Sequence, residues 1–155
     1  MSGFRTLNVR GHTTSTAHRL VHYPGACSNV HGHNMEWNIT LQVEVPDEDH
    51  QMAVDFKDVS NLVDVYDHAI LLNKDDPLVD AFEHDEDERF PVGSVFHTDL
   101  LGDVVLFEGD PTCENITDFV AEKYVQEFEN VKFADVEMAE TDKYSMSSST
   151  YHKPE

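Results

Sequence analysis

The longest regular pattern in the chain is a strict alternation of apolar and polar residues that begins at Met35 and ends at Val45. Alternation with a period of two buries one face of an extended strand and leaves the other face in water, so we predict a long half-buried β-strand here. A shorter run from Phe4 to Val9 predicts an earlier strand, and the polar residues 46–50 predict the turn that ends the long strand. An antiparallel arrangement follows.

Two segments instead have the spacing of amphipathic helices. The first begins at Asp55, a residue type that caps helix N-termini, and ends near Asp67. The second begins at Pro111 and Thr112, because proline suits a first helical turn and threonine suits a cap. The residues predicted to face inward are Phe56, Val59, Leu62, Val63 and Tyr66 in the first helix and Ile116, Phe119, Val120, Tyr124 and Phe128 in the second. Both helices should cover one face of a sheet.

The segment 74–110 between the helices is interpreted as a long, partly solvated insertion, acidic over about 74–103, that is followed by a strand at Val104–Phe107. It includes the acidic run His84–Glu88. No other element is predicted within it.

After the second helix, one face of a last strand is formed by Ala134, Val136, Met138 and Glu140, so a carboxylate lies where an apolar residue is due. The C-terminal tail 141–155 is polar and Ser-rich, and is predicted to be loosely ordered at its end. A length of 155 residues is typical of one domain, here 1–155.

The composition predicts a folded but very acidic protein. Apolar residues make up 39% of the chain, while 31 Asp and Glu stand against 10 Lys and Arg, giving a formal net charge of −21. Nucleic acid and anionic membranes would repel such a surface. Because salt screens the self-repulsion, with a Debye length of about 3 Å at 1 M, we favour a salt-loving host. The alternative is an acidic protein of an ordinary cytoplasm.

A cytoplasmic location is expected. No stretch approaches the roughly 20 apolar residues that cross a bilayer, and the N-terminal residues lack the apolar segment of a secretory signal. Cys27 and Cys113 are therefore expected to be free thiols in a reducing compartment.

Two histidines at the start of the long strand are candidate metal ligands. His31 and His33 have the same parity as Met35, and two imidazoles two residues apart on a strand can bind one ion. His18 is a third candidate, at a distance that a short hairpin return could close. Three histidines leave one tetrahedral position open for water or substrate, which indicates catalysis. The alternative is that the rings only cap the core through hydrogen bonds.

Other polar residues suggest proton transfer and ligand binding near such a metal. Cys27 directly precedes the metal segment, where a cation would favour the thiolate, although a buried inert thiol is the alternative. Asp67 and His68 form an acid-base pair. The helix start at Pro111 favours a bound anion or simple capping. Glu140 needs a partner, such as a ligand with two parallel N–H donors.

A set of motifs, taken in chain order, resembles the 6-pyruvoyl-tetrahydropterin synthase family over most of the chain. The motifs are Thr16-Ala17-His18, Cys27-x3-His31-Gly32-His33-Asn34, Val54-Asp55-Phe56, Asp67-His68 with Leu72-Asn73, Pro111-Thr112-Cys113-Glu114-Asn115, and Glu140-Thr141. The three-residue gap between Cys27 and His31 resembles the 6-carboxy-tetrahydropterin synthase branch more than the animal biopterin enzyme, which has a longer gap.

The resemblance implies an α+β T-fold, also called a tunnelling fold. This fold has an antiparallel four-stranded sheet with two helices on one face, and its subunits join their sheets into a β-barrel with active sites at the interfaces; a hexamer is expected. The implied activity is that of a zinc-dependent lyase. It converts 7,8-dihydroneopterin triphosphate to 6-carboxy-5,6,7,8-tetrahydropterin, acetaldehyde and triphosphate, on the route to 7-deazaguanines such as queuosine or archaeosine.

Carried over residue by residue, the resemblance assigns zinc to His18, His31 and His33, the base and proton relay to Cys27, Asp67 and His68, and pterin binding to Thr112, Glu114 and Glu140. Three features depart from the family pattern: Thr14 replaces the usual Phe, Cys113 replaces a small Ser or Ala, and the segment 74–110 is longer than the usual link. The rival interpretations are a true 6-pyruvoyl-tetrahydropterin synthase and a non-catalytic metal-binding module.

Overall fold

One mixed β-sheet with two helices on one face organises the chain. The structure, a computed structural model, describes residues 3–47, 49, 52–82 and 90–153. The elements in this part of the chain are β1 (Gly3–His18), β2 (His31–Val45), α1 (Phe56–Asp64), β3 (Ala69–Asn73), β4 (Val95–Thr98), β5 (Gly102–Phe107), α2 (Cys113–Glu127), β6 (Val131–Ala139) and β7 (Ser145–Tyr151), with single 3₁₀ turns at Ala26–Ser28 and Pro77–Ala81. The strand order is β4-β5-β3-β1-β2-β6-β7.

Four of these strands match the predicted antiparallel sheet. β1, β2, β6 and β7 each run antiparallel to their neighbours in this group. The predicted count of four is wrong, because β3, β4 and β5 extend the sheet beyond β1, and β3 is parallel to both β1 and β5. Within the described part of one chain the sheet is open, with β4 and β7 at its edges, so a single chain does not close into a barrel.

Two of the missed strands, β3 and β4, lie just before and within the segment that we interpreted as a solvated insertion. All five residues of β3 are buried, so its sequence has no alternation to reveal a strand. The strand predicted at Val104–Phe107 is confirmed as part of β5. A second apolar cluster includes Ile70, Leu72, Phe82, Val104 and Leu106, which gives the inserted segment a core of its own. The acidic run His84–Glu88 lies outside the described residues.

A bulge in β1 determines which face His18 occupies. Leu7 is buried near the start of the strand, whereas Thr14 and His18 are buried after it, so the parity of the inward positions reverses. The pairing with β2 shifts at this point, and Gly11 there has a φ of 67°, a conformation that favours glycine. This reversal is why alternation in the sequence predicted only the first half of β1.

The main core forms where the two helices cover the sheet. All six inward residues of β2 are buried, as predicted: Met35, Trp37, Ile39, Leu41, Val43 and Val45. Asp55 caps α1 by accepting from the Lys57 amide at 2.8 Å, as expected, but the helix already ends at Asp64. The prediction for Phe56 is wrong, because this residue lies in the first turn of α1 and is 70% exposed. Phe119 and Phe128 are only partly buried against the core.

The end of the chain is more ordered than predicted. Ala134, Val136 and Met138 are buried as expected, and Glu140 follows directly after β6. The Ser-rich tail contains β7, where polar side chains alternate at a sheet edge and no apolar pattern signals a strand. Among the described residues, no helix has the length and apolarity that a membrane span requires.

A chain of hydrogen bonds crosses the core beside the metal-ligand candidates. Trp37 donates its indole N–H to the Thr14 hydroxyl at 3.0 Å, and Thr14 and Thr16 hydroxyls lie 2.9 Å apart. Thr16 donates its only hydroxyl proton to the Tyr66 carbonyl at 2.9 Å, so Thr14 must donate to Thr16. Thr14, which departs from the family pattern, is therefore the acceptor that satisfies a buried tryptophan.

We predict that Thr14→Val lowers the free energy of unfolding by about 1–3 kcal/mol, because the Trp37 N–H is left buried without an acceptor. Thr13→Val is the matched control, since Thr13 is exposed on the opposite face of the same strand, and it should change stability by less than about 0.5 kcal/mol. Urea unfolding of both variants measures the difference. Equal stabilities would contradict a role for this hydrogen bond.

Candidate active site

Three imidazoles converge at the adjoining ends of β1 and β2. His18 pairs with His31 across the two strands, and Thr16 pairs with His33, so all three rings lie on the helix-covered face. The ring centroids of the three pairs are 4.6, 5.2 and 5.0 Å apart. One ligand nitrogen from each ring lies within 4.8 Å of the other two, which makes this group able to hold a metal ion. The predicted convergence is thus seen, although the connection between the strands is longer than a tight hairpin.

Two backbone carbonyls determine which ring nitrogen of His18 and of His31 is free to bind a metal ion. His18 donates its Nδ1–H to the Pro111 carbonyl at 2.9 Å, and His31 donates its Nδ1–H to the Asn29 carbonyl at 2.7 Å. In a neutral ring this leaves Nε2 unprotonated and available as a ligand. Burial lowers the pKa of His18, which keeps that ring neutral.

Two buried nitrogens in the cluster have no hydrogen-bond partner in the described part of the chain. They are Nε2 of His18 and Nε2 of His33. Buried polar atoms are seldom left unsatisfied, and two of them facing one point fit a cation better than they fit a purely structural role. The donor set of three imidazole nitrogens is also that of an open catalytic zinc site.

Glu140 lies against this cluster. Its carboxylate oxygens are 3.6 Å from Nε2 of His18 and 3.8 Å from Nε2 of His33, too far for hydrogen bonds. The side chain is 24% exposed, so it can also reach a ligand from the outside. A groove of about 640 Å³ runs past Glu140 and His33, bordered also by Asn34, Lys143 and Tyr144. Its lining is polar enough to bind a small polar molecule.

Cys113 lies at the start of α2 and is partly buried. Burial, followed by the nearby Glu140 side chain, raises the pKa of Cys113 to about 12. The thiol therefore stays protonated near neutral pH. Cys113 cannot serve as a base there.

Cys27 occupies the 3₁₀ turn between β1 and β2, four residues before His31. Its thiol is free and exposed, so the alternative of a buried inert cysteine is wrong. The turn is tied back to the end of β1 by a hydrogen bond from the Leu20 amide to the Cys27 carbonyl at 2.8 Å. The sulfur does not belong to the three-histidine group.

Asp67 and His68 form a pair at the turn between α1 and β3. Asp67 accepts the Ser15 amide at 2.8 Å and Nδ1–H of His68 at 2.9 Å, and these bonds, led by that from Ser15, lower the pKa of Asp67. The His68 side chain is 81% exposed. It borders a groove of about 560 Å³ that reaches Gly32 and His33. The pair is not in contact with the imidazole cluster through any described hydrogen bond.

The two predicted binding residues at the start of α2, Thr112 and Glu114, differ in their contacts and exposure. Thr112 caps the helix, since its hydroxyl accepts the Asn115 amide at 3.2 Å, so the simple capping interpretation holds for it. Glu114 lies in the first turn and is exposed. Both are close in sequence to Pro111, whose carbonyl orients His18.

Three buried polar residues around the site were not singled out from the sequence. Asn73, Asp76 and Asp110 are 1–5% exposed. Asp76 and Asp110 accept hydrogen bonds from the segment that follows His18, and Asn73 donates to Asp110. Asp76 and Asp110 resembled ordinary acidic loop residues, and Asn73 entered only as part of a motif. Their burial depends on contacts between distant parts of the chain.

The sequence is similar to one family model and to a relative from an archaeon. Residues 7–150 match the family model described as 6-pyruvoyl tetrahydropterin synthase. A protein of Halobacterium salinarum named "Probable 6-carboxy-5,6,7,8-tetrahydropterin synthase" is 36% identical over 146 residues, which cover 90% of this chain and 86% of that protein.

Solved structures share the fold at low sequence identity. The 6-pyruvoyltetrahydropterin synthase of Plasmodium vivax is 15% identical, with a TM-score of 0.61 over 96% of this chain and 99% of that one. An uncharacterized protein of Wolinella succinogenes is 17% identical, with a TM-score of 0.58 over 99% of both chains. At these identities the likeness supports the fold alone.

Proposed function

Because this chain belongs to the 6-pyruvoyl tetrahydropterin synthase family, we propose that it is a 6-carboxy-5,6,7,8-tetrahydropterin synthase. In the proposed reaction, 7,8-dihydroneopterin triphosphate and one water yield 6-carboxy-5,6,7,8-tetrahydropterin, acetaldehyde and triphosphate, as a step toward 7-deazaguanines. The halobacterial relative and the short gap between Cys27 and His31 favour this branch. The observation that carries the proposal is the three-histidine cluster beside a partly buried carboxylate.

Zinc is the ion that we propose for His18, His31 and His33. The unpartnered Nε2 atoms of His18 and His33 support a cation here, and the all-imidazole donor set suits zinc. Bound zinc would supply Lewis acidity, polarising the side-chain oxygens of the substrate and acidifying the adjacent C–H groups.

Glu140 is proposed to recognise the pterin. A carboxylate can accept two parallel N–H bonds, and the amino and ring N–H groups of a pterin present such a pair. Thr112 and Glu114 would assist from the first turn of α2, where the helix dipole favours an anionic ligand.

Proton transfer is assigned to Cys27 and to the pair formed by Asp67 and His68. The thiol of Cys27 is free and exposed, and a cation held by the three histidines would favour its thiolate. Asp67 remains ionised and accepts from Nδ1–H of His68, which leaves Nε2 of that ring free to exchange a proton.

Assembly into a homo-oligomer, with a hexamer as the family expectation, is part of the proposal, as is a cytoplasmic location. The open sheet offers two edges, β4 and β7, for pairing with other copies. Sedimentation of the purified protein gives the assembly size, and a stable monomer would contradict this part.

The rival function is that of a true 6-pyruvoyl-tetrahydropterin synthase, which is favoured by the description of the matching family. That enzyme eliminates triphosphate but keeps the three-carbon side chain. Mass spectrometry of the products formed from 7,8-dihydroneopterin triphosphate separates the two, because only the proposed reaction releases acetaldehyde.

We predict that Cys27→Ala keeps one zinc per chain but lowers kcat by at least about 100-fold, because the base is removed while the ligands remain. His31→Ala should lose both zinc and turnover, since one of three ligands is gone. Zinc content and acetaldehyde release are measured on the same samples.

Cys113→Ser is the matched cysteine control, because it removes the other free thiol and leaves a small hydroxyl at the same position. It should retain turnover within a few-fold. If Cys27→Ala kept wild-type turnover, Cys27 would not be the base.

We also propose a salt-loving host, on the basis of the net charge of −21 and the relative from Halobacterium. Raising KCl from about 0.1 M to about 1 M shortens the Debye length from roughly 10 Å to roughly 3 Å and screens the repulsion between carboxylates. The free energy of unfolding, measured with urea, should rise over this range. A constant or falling value would contradict the proposal.

A further inference from the structure

The two ends of the inserted segment both bind the short segment 19–22 beside the site: Asp76 binds the Arg19 side chain, and Asp110 binds the backbone amides of Val21 and His22. We propose that Asp76, Asp110 and Asn73 form a clamp that holds residues 19–22 and thereby positions the Cys27 turn against the three histidines. Asp110 is its central positioning residue. This inference rests on the proposed function for its catalytic consequence, but its structural content can be tested separately.

Asp110, at the end of the inserted segment, accepts three hydrogen bonds. One carboxylate oxygen accepts the Val21 amide at 3.2 Å and the Asn73 side-chain amide at 3.0 Å, while the other accepts the His22 amide at 3.0 Å. The residue is only 5% exposed. A buried carboxylate is costly unless its oxygens are satisfied, and these bonds satisfy both of them.

Asp76, at the start of the inserted segment, secures the residue that follows His18. It accepts Nε–H of Arg19 at 2.7 Å with one oxygen and the Leu78 amide at 2.8 Å with the other. Asp76 is 1% exposed, so this ion pair is largely shielded from water and salt. Residues 19–22 are therefore held from both ends of the insertion, through the Arg19 side chain at one end and the Val21 and His22 amides at the other.

The clamped backbone leads directly to two functional groups. It begins after the ligand His18, and the Leu20 amide bonds to the Cys27 carbonyl, which closes the intervening loop. Pro111, adjacent to Asp110, accepts Nδ1–H of His18 at 2.9 Å. Movement at Asp110 would therefore shift the imidazole and the Cys27 turn relative to each other.

A carboxylate suits this role better than an amide. Asp110 presents only acceptors to three N–H groups, whereas an asparagine would direct its own NH₂ group at one of them. Misplacement of a reacting group by about 1 Å can cost about 100-fold in rate, so the clamp matters for a base on an exposed turn.

The test compares Asp110→Asn and Asp76→Asn with Asp103→Asn in the full-length zinc-loaded protein. Asn at 76 can still cap the turn at Leu78, so this variant weakens mainly the Arg19 contact. Asp103 is the matched control, because it lies in the same inserted segment and accepts only from exposed His97 among the described hydrogen bonds. Each variant is examined by amide hydrogen exchange, by alkylation of Cys27 with iodoacetamide, by zinc content and by turnover.

We expect Asp110→Asn to speed exchange of the Val21 and His22 amides and to change the alkylation rate of Cys27 by more than threefold. It should lower kcat by about 10- to 100-fold while zinc content stays at one per chain. We expect kcat to fall by a larger factor than KM changes. Asp76→Asn should act in the same direction more weakly, and Asp103→Asn should match the wild type in every readout.

Unchanged exchange of the Val21 and His22 amides and an unchanged alkylation rate in Asp110→Asn would overturn the clamp. If that variant fails to fold, Asp76→Asn decides by the same two readouts. If the wild type does not turn over dihydroneopterin triphosphate, the proposed function fails, but exchange and alkylation still decide whether the clamp exists.

Discussion

The register between β1 and β2 is the constraint on which the rest of the site depends. Pairing of His18 with His31, and of Thr16 with His33, brings three imidazoles onto one face. A slip of one residue would turn one strand's ligands to the opposite face, because side chains alternate. The buried inward residues of β2 oppose such a slip, and the bulge at Gly11 gives His18 its inward position. The hydrophobic pattern of one strand thus fixes the geometry of a polar cluster.

Hydrogen bonds then orient the side chains that this register brings together. The start of α2 contributes to the site and to its own helix, since the Pro111 carbonyl orients His18 and the Thr112 hydroxyl caps the helix. Asp110 extends this arrangement to the connection that carries Cys27. The insertion between β3 and α2 is therefore linked to the site at both of its ends, while its own apolar cluster packs against the added strands.

The sequence predicted the position of a site residue correctly where the pattern of one strand or helix was enough to determine it. Parity placed His31 and His33 with the core residues of β2, and the same argument placed Glu140 after the inward residues of β6. His18 could be proposed as a third ligand because a return of the chain could bring it near, and the family resemblance then assigned zinc to all three histidines.

The features that were missed depend on contacts between distant segments. β3 is buried on both faces and has no alternation, and β7 is a polar edge strand defined by pairing with β6. The burial of Asp110 depends on a backbone about 90 residues away, which no local pattern reports.

The central claim is that three imidazoles bind one zinc ion. X-ray absorption at the zinc edge of the purified protein tests it most directly: the account predicts three imidazole nitrogens at about 2.0–2.1 Å and no sulfur ligand, whereas a sulfur at about 2.3 Å or fewer than three imidazoles would contradict it.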